Sequence, residues 1–83
     1  MRTILDKRYK NLIAHLKRER LKLGLTQSQL SKKIGWRRTM ISNIETCERR
    51  LDILETYDLA HALDLRLSDV ETLLQVKKLS TSK

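Results

Sequence analysis

Apolar side chains recur along this chain every three to four residues, which predicts helices throughout and no strand-like alternation that persists. Tyr9, Leu12, Ile13, Leu16 and Leu23 form one stripe of a first helix over about residues 6–23. Gly24 follows as the left-handed stop that helix ends favour. Arg20 falls on the same stripe, an odd place for a charge. Thr26, with Gln29 three residues on, forms a capping box that opens a second helix of roughly two turns. Leu30 and Ile34 are its inner edge and Gly35 ends it. A third helix runs from about Arg38 to Glu45 with Ile41 and Ile44 inward. Asp52 with Glu55 opens a fourth through Leu63, with Ile53, Tyr57, Ala60 and Leu63 as inner positions. Ser68 with Glu71 opens a fifth, carrying apolar Val70, Leu73 and Leu74. The reading is all-α: five short helices in one domain over residues 1–79, with a frayed tail at 80–83.

The second and third helices are separated only by "GWRR", the spacing of a helix-turn-helix, in which a tight glycine-containing turn sets two helices at a steep angle. If Ile41 and Ile44 pin the third helix to the core, Arg38, Thr39, Ser42 and Asn43 point outward along one edge. A DNA major groove about 12 Å wide accepts such a helix, and the side chains suit base edges. Arginine donates two bonds to guanine, asparagine pairs with adenine, and threonine or serine bonds a base or a phosphate. The positive end of the helix, reinforced by Arg37 and Arg38, favours phosphate. A merely solvated polar face is the competing reading of the same residues.

Charge sharpens the choice. The chain has 83 residues and a net charge of +8. Residues 1–23 carry eight basic and two acidic side chains, and 24–50 carry six and two. Residues 51–74 reverse the sign, with Arg66 against Asp52, Glu55, Asp58, Asp64, Asp69 and Glu71. A basic front and an acidic back suggest that one face meets a polyanion. Proline is absent and glycine occurs twice, which argues against long irregular loops. No apolar run approaches the roughly 20 residues of a membrane span. The single cysteine excludes an intrachain disulfide and suits a reducing cytoplasm, so a cytoplasmic, membrane-free protein is expected. His15 and His61 lack metal-ligand spacing, and there is neither a Gly-rich phosphate loop nor a paired-carboxylate pocket. No metal, cofactor or enzymatic activity is expected.

"LGLTQSQLSKKIGWRRTMISNIE", followed by "ERRLDILETYDLAHALDLRLSDVETLL", resembles the Cro/phage-repressor helix-turn-helix family, also called XRE-type. The likeness covers roughly residues 12–75 and rests on the Thr-Gln start of the second helix, Leu30, Gly35, Ile41, Ser42, Ile44, Glu45 and "LAHALDL". It implies a five-helix phage-repressor-like fold and roles by position. Gln27 would bond a DNA phosphate, partly through its backbone N–H. Arg37 would stand at the entrance of the recognition helix, with Arg38, Thr39 and Asn43 reading bases beside Ser42. Arg49 and Arg50 would lie along the DNA backbone near the minor groove. Arg20 would pair with Glu45 inside the domain, which would account for its place on an apolar stripe. Three positions depart from the pattern. Arg37 stands where a serine or threonine often caps, predicting a recognition helix without a side-chain N-cap. Cys47 replaces a common glycine, predicting a less tightly turned helix end. Trp36 is bulky for the turn.

Several residues keep two readings. Trp36 packs over the turn, or meets sugar-phosphate or a partner. Met40 fills a gap between helices, or touches a thymine methyl. Val70, Leu73, Leu74, Val76 and Leu79 either form a dimer surface or finish the monomer core. The leading function is a sequence-specific DNA-binding transcriptional regulator, a repressor by default, acting on double-stranded DNA as a homodimer at a palindromic operator. The alternative is an antitoxin-like interaction module that neutralises a toxin or other regulatory protein and autoregulates its promoter, with acidic 51–74 as the contact. A non-specific nucleoid or RNA-binding role ranks third, because phenylalanine is absent and aromatics are scarce.

Overall fold

Short polar side chains close the first amides of three helices in the computed structural model, which describes residues 6–74. The helices are α1 (Lys7–Lys22), α2 (Gln27–Ile34), α3 (Arg38–Glu45), α4 (Ile53–Ala62) and α5 (Leu67–Leu74). Asp6 caps α1 by accepting from Arg8 N–H at 2.8 Å. Thr26 and Gln29 make the expected reciprocal box on α2, and Asp52 and Glu55 repeat it on α4. The fifth helix begins before the expected Ser68–Glu71 box. Asp69 accepts from the Arg66 N–H at 2.8 Å and starts α5 at Leu67. Arg37 precedes α3 without a side-chain capping bond, as its chemistry predicts.

Helix ends use left-handed residues of three kinds. Gly24 (φ 74°) and Gly35 (φ 89°) end α1 and α2. Cys47 (φ 63°) does the same after α3, where the Glu48 N–H reaches Asn43 O at 2.8 Å and the Cys47 N–H reaches Ile44 O at 3.0 Å. This two-bond closure corrects the expectation of a looser end: the turn is tight, and the non-glycine residue carries strain instead. Asp64 (φ 64°) closes α4 in the same way.

The core forms where all five helices meet: Leu12, Ile13 and Leu16 of α1, Leu30 of α2, Ile41 and Ile44 of α3, Leu59 and Ala60 of α4, Val70 of α5, and Leu51 and Leu63 beside them. Helix α1 packs against α3 and α5, while α2 packs against α3 and α4. Lys33 ties α2 to the end of α4, donating to Ala62 O at 2.6 Å. A cation at that position also complements the negative end of the α4 dipole.

Two inward assignments on α4 are overturned. Ile53 is 69% and Tyr57 52% exposed, while Thr56 and Leu59 take the inner positions beside Ala60 and Leu63. Burial of Thr56 is possible because its hydroxyl donates to Asp52 O at 2.8 Å. Leu23, expected on the α1 stripe, lies past the last helical residue as C-cap and is exposed. Val70 is buried, and Leu73 and Leu74 are half-buried against the core. Val76, Leu79 and the tail at 80–83 lie outside the described residues. Among the described residues no helix is long and apolar enough to cross a membrane, and no cluster of His, Cys, Asp or Glu is arranged to hold a metal ion.

Candidate nucleic-acid interface

The α2–α3 pair is fixed from beneath by apolar anchors and from one side by a polar network. Leu30 is 1% exposed, and Ile41 and Ile44 are as deeply buried, so α3 can rotate little about its axis. Its opposite edge then faces outward: Arg38, Thr39 and Asn43 are exposed and Ser42 is half-buried. Arg37 is exposed just before the helix. The five polar side chains predicted to read DNA at this helix thus lie together on one edge or at its start.

Beneath that edge Arg20 and Glu45 form the implied ion pair. Arg20 Nε donates to Glu45 Oε2 at 2.7 Å and Nη2 donates to Oε1 at 3.0 Å, with both side chains less than a tenth exposed. Arg20 Nη1 also reaches Leu25 O at 2.7 Å. The third member carries no signal in the sequence. Gln27 Nε2 donates to Glu45 Oε1 at 2.9 Å, and Arg38 Nη1 donates to Gln27 Oε1 at 3.4 Å. The Gln27 side-chain nitrogen is therefore turned inward, leaving its backbone N–H at the first position of α2 as the group suited to an anion.

The loop after α3 has partners of its own. Arg49 makes a two-pronged contact with Glu55, Nη1 to Oε1 and Nη2 to Oε2, each 2.9 Å. That fork holds the Glu55 carboxyl below its ordinary range and the Arg49 guanidinium above its own. Tyr9 braces the loop from α1: its hydroxyl donates to Arg49 O at 3.4 Å and accepts from the Leu51 N–H at 3.1 Å. Burial pushes the Tyr9 phenol up. Arg50 lies 5.9 Å over the Tyr9 ring. Arg49 and Arg50 thus both have protein partners, at 49 a carboxylate and at 50 an aromatic face. The bracing roles of Glu55 and Tyr9 had one sequence signal each: Glu55 already belonged to a capping box, and Tyr9 to the α1 stripe.

Between the α2–α3 turn and this loop runs an open groove of about 460 Å³, lined by Trp36, Arg37, Thr39, Met40, Asn43 and Arg49. Trp36 and Met40 are half-buried against the core, which agrees with packing over the turn and gap filling, yet both also face this groove.

Comparison with known proteins agrees with this geometry. A helix-turn-helix family model, HTH_3, matches residues 16–70. No curated protein matches the chain. A solved structure, described as an XRE-family like protein from Pseudomonas syringae pv. tomato str. DC3000, is similar to it with a TM-score of 0.76 and 29% identity. The likeness covers 82% of this chain and 83% of that one. The family is one of DNA-binding regulatory domains, not of enzymes. With two short helices, a glycine turn and an outward polar edge held by a buried ion pair, the chain belongs to the XRE-type helix-turn-helix family of DNA-binding transcription regulators.

Proposed function

We propose that the protein is a repressor that reads a palindromic operator through the outward edge of α3, as a homodimer. The observation that carries this is the division of α3 into two faces: Ile41 and Ile44 are buried, while Arg38, Thr39 and Asn43 are exposed side by side. On this reading Arg38 and Asn43 contact base edges, and Thr39 and Ser42 contact bases or phosphate. Arg37, the Gln27 backbone N–H, Arg49 and Arg50 contact phosphates and set the register. Repression needs only that the bound protein block the site.

Dimerisation needs apolar area outside the monomer core. Ile53, Leu54 and Tyr57 of α4, each more than half exposed, are the described side chains best suited to it. A two-fold dimer would then place two α3 helices about one DNA turn apart, near 10–10.5 base pairs.

The test is selection from a random-sequence duplex pool at physiological salt, followed by sequencing of what is retained. A two-fold symmetric motif with half-sites one turn apart is the expected result. Salt-sensitive retention without any enriched motif would reject base reading by this edge. It would favour action through a partner protein on the acidic, apolar face of α4.

A further inference from the structure

We propose that the groove between the α2–α3 turn and the loop after α3 seats one nucleotide of the DNA backbone, with its phosphate between Arg37 and Arg49 and its deoxyribose against Trp36. This inference rests on the reading that α3 enters a DNA groove, and it assigns Trp36 a contact of its own. Three observations carry it. The first is charge: the groove has two arginines and no acidic residue in its lining. Among the described residues Arg37 makes no ion pair. Arg49 gives Glu55 one N–H from each terminal nitrogen, which fixes its plane and leaves the remaining N–H groups for an anion.

The second is shape. At about 460 Å³ the groove lies within the roughly 300–1,000 Å³ of clefts that hold small organic groups. Trp36 and Met40 in its lining suit the carbon face of a sugar, and Arg37 and Arg49 suit the attached phosphate. The third is continuity. Thr39 and Asn43 line the groove and also belong to the outward edge of α3, so a strand whose bases meet Asn43 carries its backbone past Trp36. Trp36, half-buried against the core, then also meets DNA where it lines the groove, which reconciles its bulk with its place.

Trp36 is the protein's sole tryptophan, so its emission reports on this groove alone. The 83-residue chain is titrated with the duplex recovered by selection, following indole emission and DNA anisotropy together. The expected result is a saturating emission change that coincides with binding. Trp36→Leu, checked for folding by circular dichroism, should weaken binding about five- to tenfold with an unchanged salt slope, since an apolar contact releases no counterion. A scan with the wild-type protein replaces single phosphates by neutral methylphosphonates. One position per half-site should weaken wild-type binding and have a much smaller effect on Arg49→Gln. Binding without an emission change, or a methylphosphonate scan in which no position couples to Arg49, would overturn the proposal. Emission that follows protein concentration instead of DNA would assign the groove to a second copy, and also overturn it. If the duplex is not retained at all, the DNA reading itself falls, and that failure is distinct from a bound duplex that leaves Trp36 untouched.

Discussion

Glu45 holds Gln27 by a 2.9 Å hydrogen bond, from the amide nitrogen to Oε1, and so determines which end of that amide faces Arg38. The same carboxylate accepts from Arg20 through both oxygens. A buried ion pair, a glutamine and the first residue of α3 therefore form one chain from the core to the outward edge. Breaking such a pair on one side strands a charge, whereas replacing both partners with apolar groups is often neutral. Glu45→Ala should cost about 3–5 kcal/mol in urea unfolding, while Arg20→Met with Glu45→Leu should recover most of that loss. DNA affinity should separate the two effects. The double variant, stable again but with Gln27 released, should still bind the selected duplex more weakly than wild type.

How far that chain was legible depends on how local each link is. The Thr26–Gln29 and Asp52–Glu55 boxes are three-residue contacts and were readable directly, as were the glycine stops. The Arg20–Glu45 pair spans 25 residues and came only through resemblance, prompted by a charge on an apolar stripe. The third partner, Gln27, had no signal, because a polar residue at a helix start has an ordinary explanation in solvent. The phase of α4 misled for a different reason. Ile53, Leu54, Tyr57, Leu59, Ala60, Ala62 and Leu63 surround much of that helix, so spacing alone did not choose a face. Packing against α2 and α5 chose it, and buried Thr56 where periodicity favoured Tyr57. The loop bracing by Tyr9 depends on contacts 40 and 42 residues apart, beyond the reach of local pattern.

Base reading at α3 predicts loss of preference as well as affinity. Asn43→Ala removes an exposed side chain that supports no described hydrogen bond of its own amide, so folding should be unaffected. Its cost on the selected site should be about 1–3 kcal/mol, with little change on unrelated duplex. Competition binding against a library of single-base variants measures both. An equal loss on every sequence would move Asn43 from the base-reading set to the backbone-contacting set.

Arg37 places stability and binding in opposition. As N-cap of α3 it has extended backbone (φ −79°, ψ 147°) but gives the helix no capping bond. Serine at that position would accept from an amide of the first turn. Arg37→Ser should therefore stabilise the protein by about 1 kcal/mol. The same change removes one cation from the groove, and should lower the salt slope of DNA binding by about one unit. Thermal melts and salt titrations of the same preparation would reveal a variant that is firmer and binds less well. Parallel loss of both would mean that Arg37 stabilises the turn by a route other than capping.

Acid should loosen the starts of two helices. The Asp6 carboxyl, hydrogen-bonded by the Arg8 side chain and N–H, is drawn from 3.8 to about 2, and Glu55 lies below its ordinary 4.5 because Arg49 bonds it. Both groups bind protons more weakly folded than unfolded. Their contribution is complete above the ordinary carboxylate range and declines as pH falls through it, ending for Asp6 near pH 2. Amide signals of the first turn of α1 should therefore shift or broaden as pH falls from 3.8 to about 2, and those of α4 once pH is below the ordinary carboxylate range. Asp6→Asn, which keeps an N-cap oxygen without the titrating charge, should make the start of α1 insensitive across that range. Persistence of the acid response in that variant would trace it to another carboxylate.

Cys47 offers the sharpest test of stored strain. At φ 63° it occupies backbone that disfavours a side chain, and it does so to make the two hydrogen bonds that end α3. The left-handed conformation costs a non-glycine residue about 1–2 kcal/mol, while glycine adds about 0.5–1 kcal/mol of unfolded-state entropy. Cys47 is also half-buried against the core, and glycine would lose that contact. Cys47→Gly should thus be neutral to stabilising by up to about 1 kcal/mol, a rise of at most several degrees in melting temperature for a domain of this size. Cys47→Val keeps a comparable apolar volume but adds a branch at Cβ, and should melt clearly below wild type because the left-handed region tolerates branched residues least. If valine were accepted and glycine rejected, side-chain packing, not backbone conformation, would control the end of α3. The loop carrying Arg49 would then be positioned from the core and not by the helix it follows.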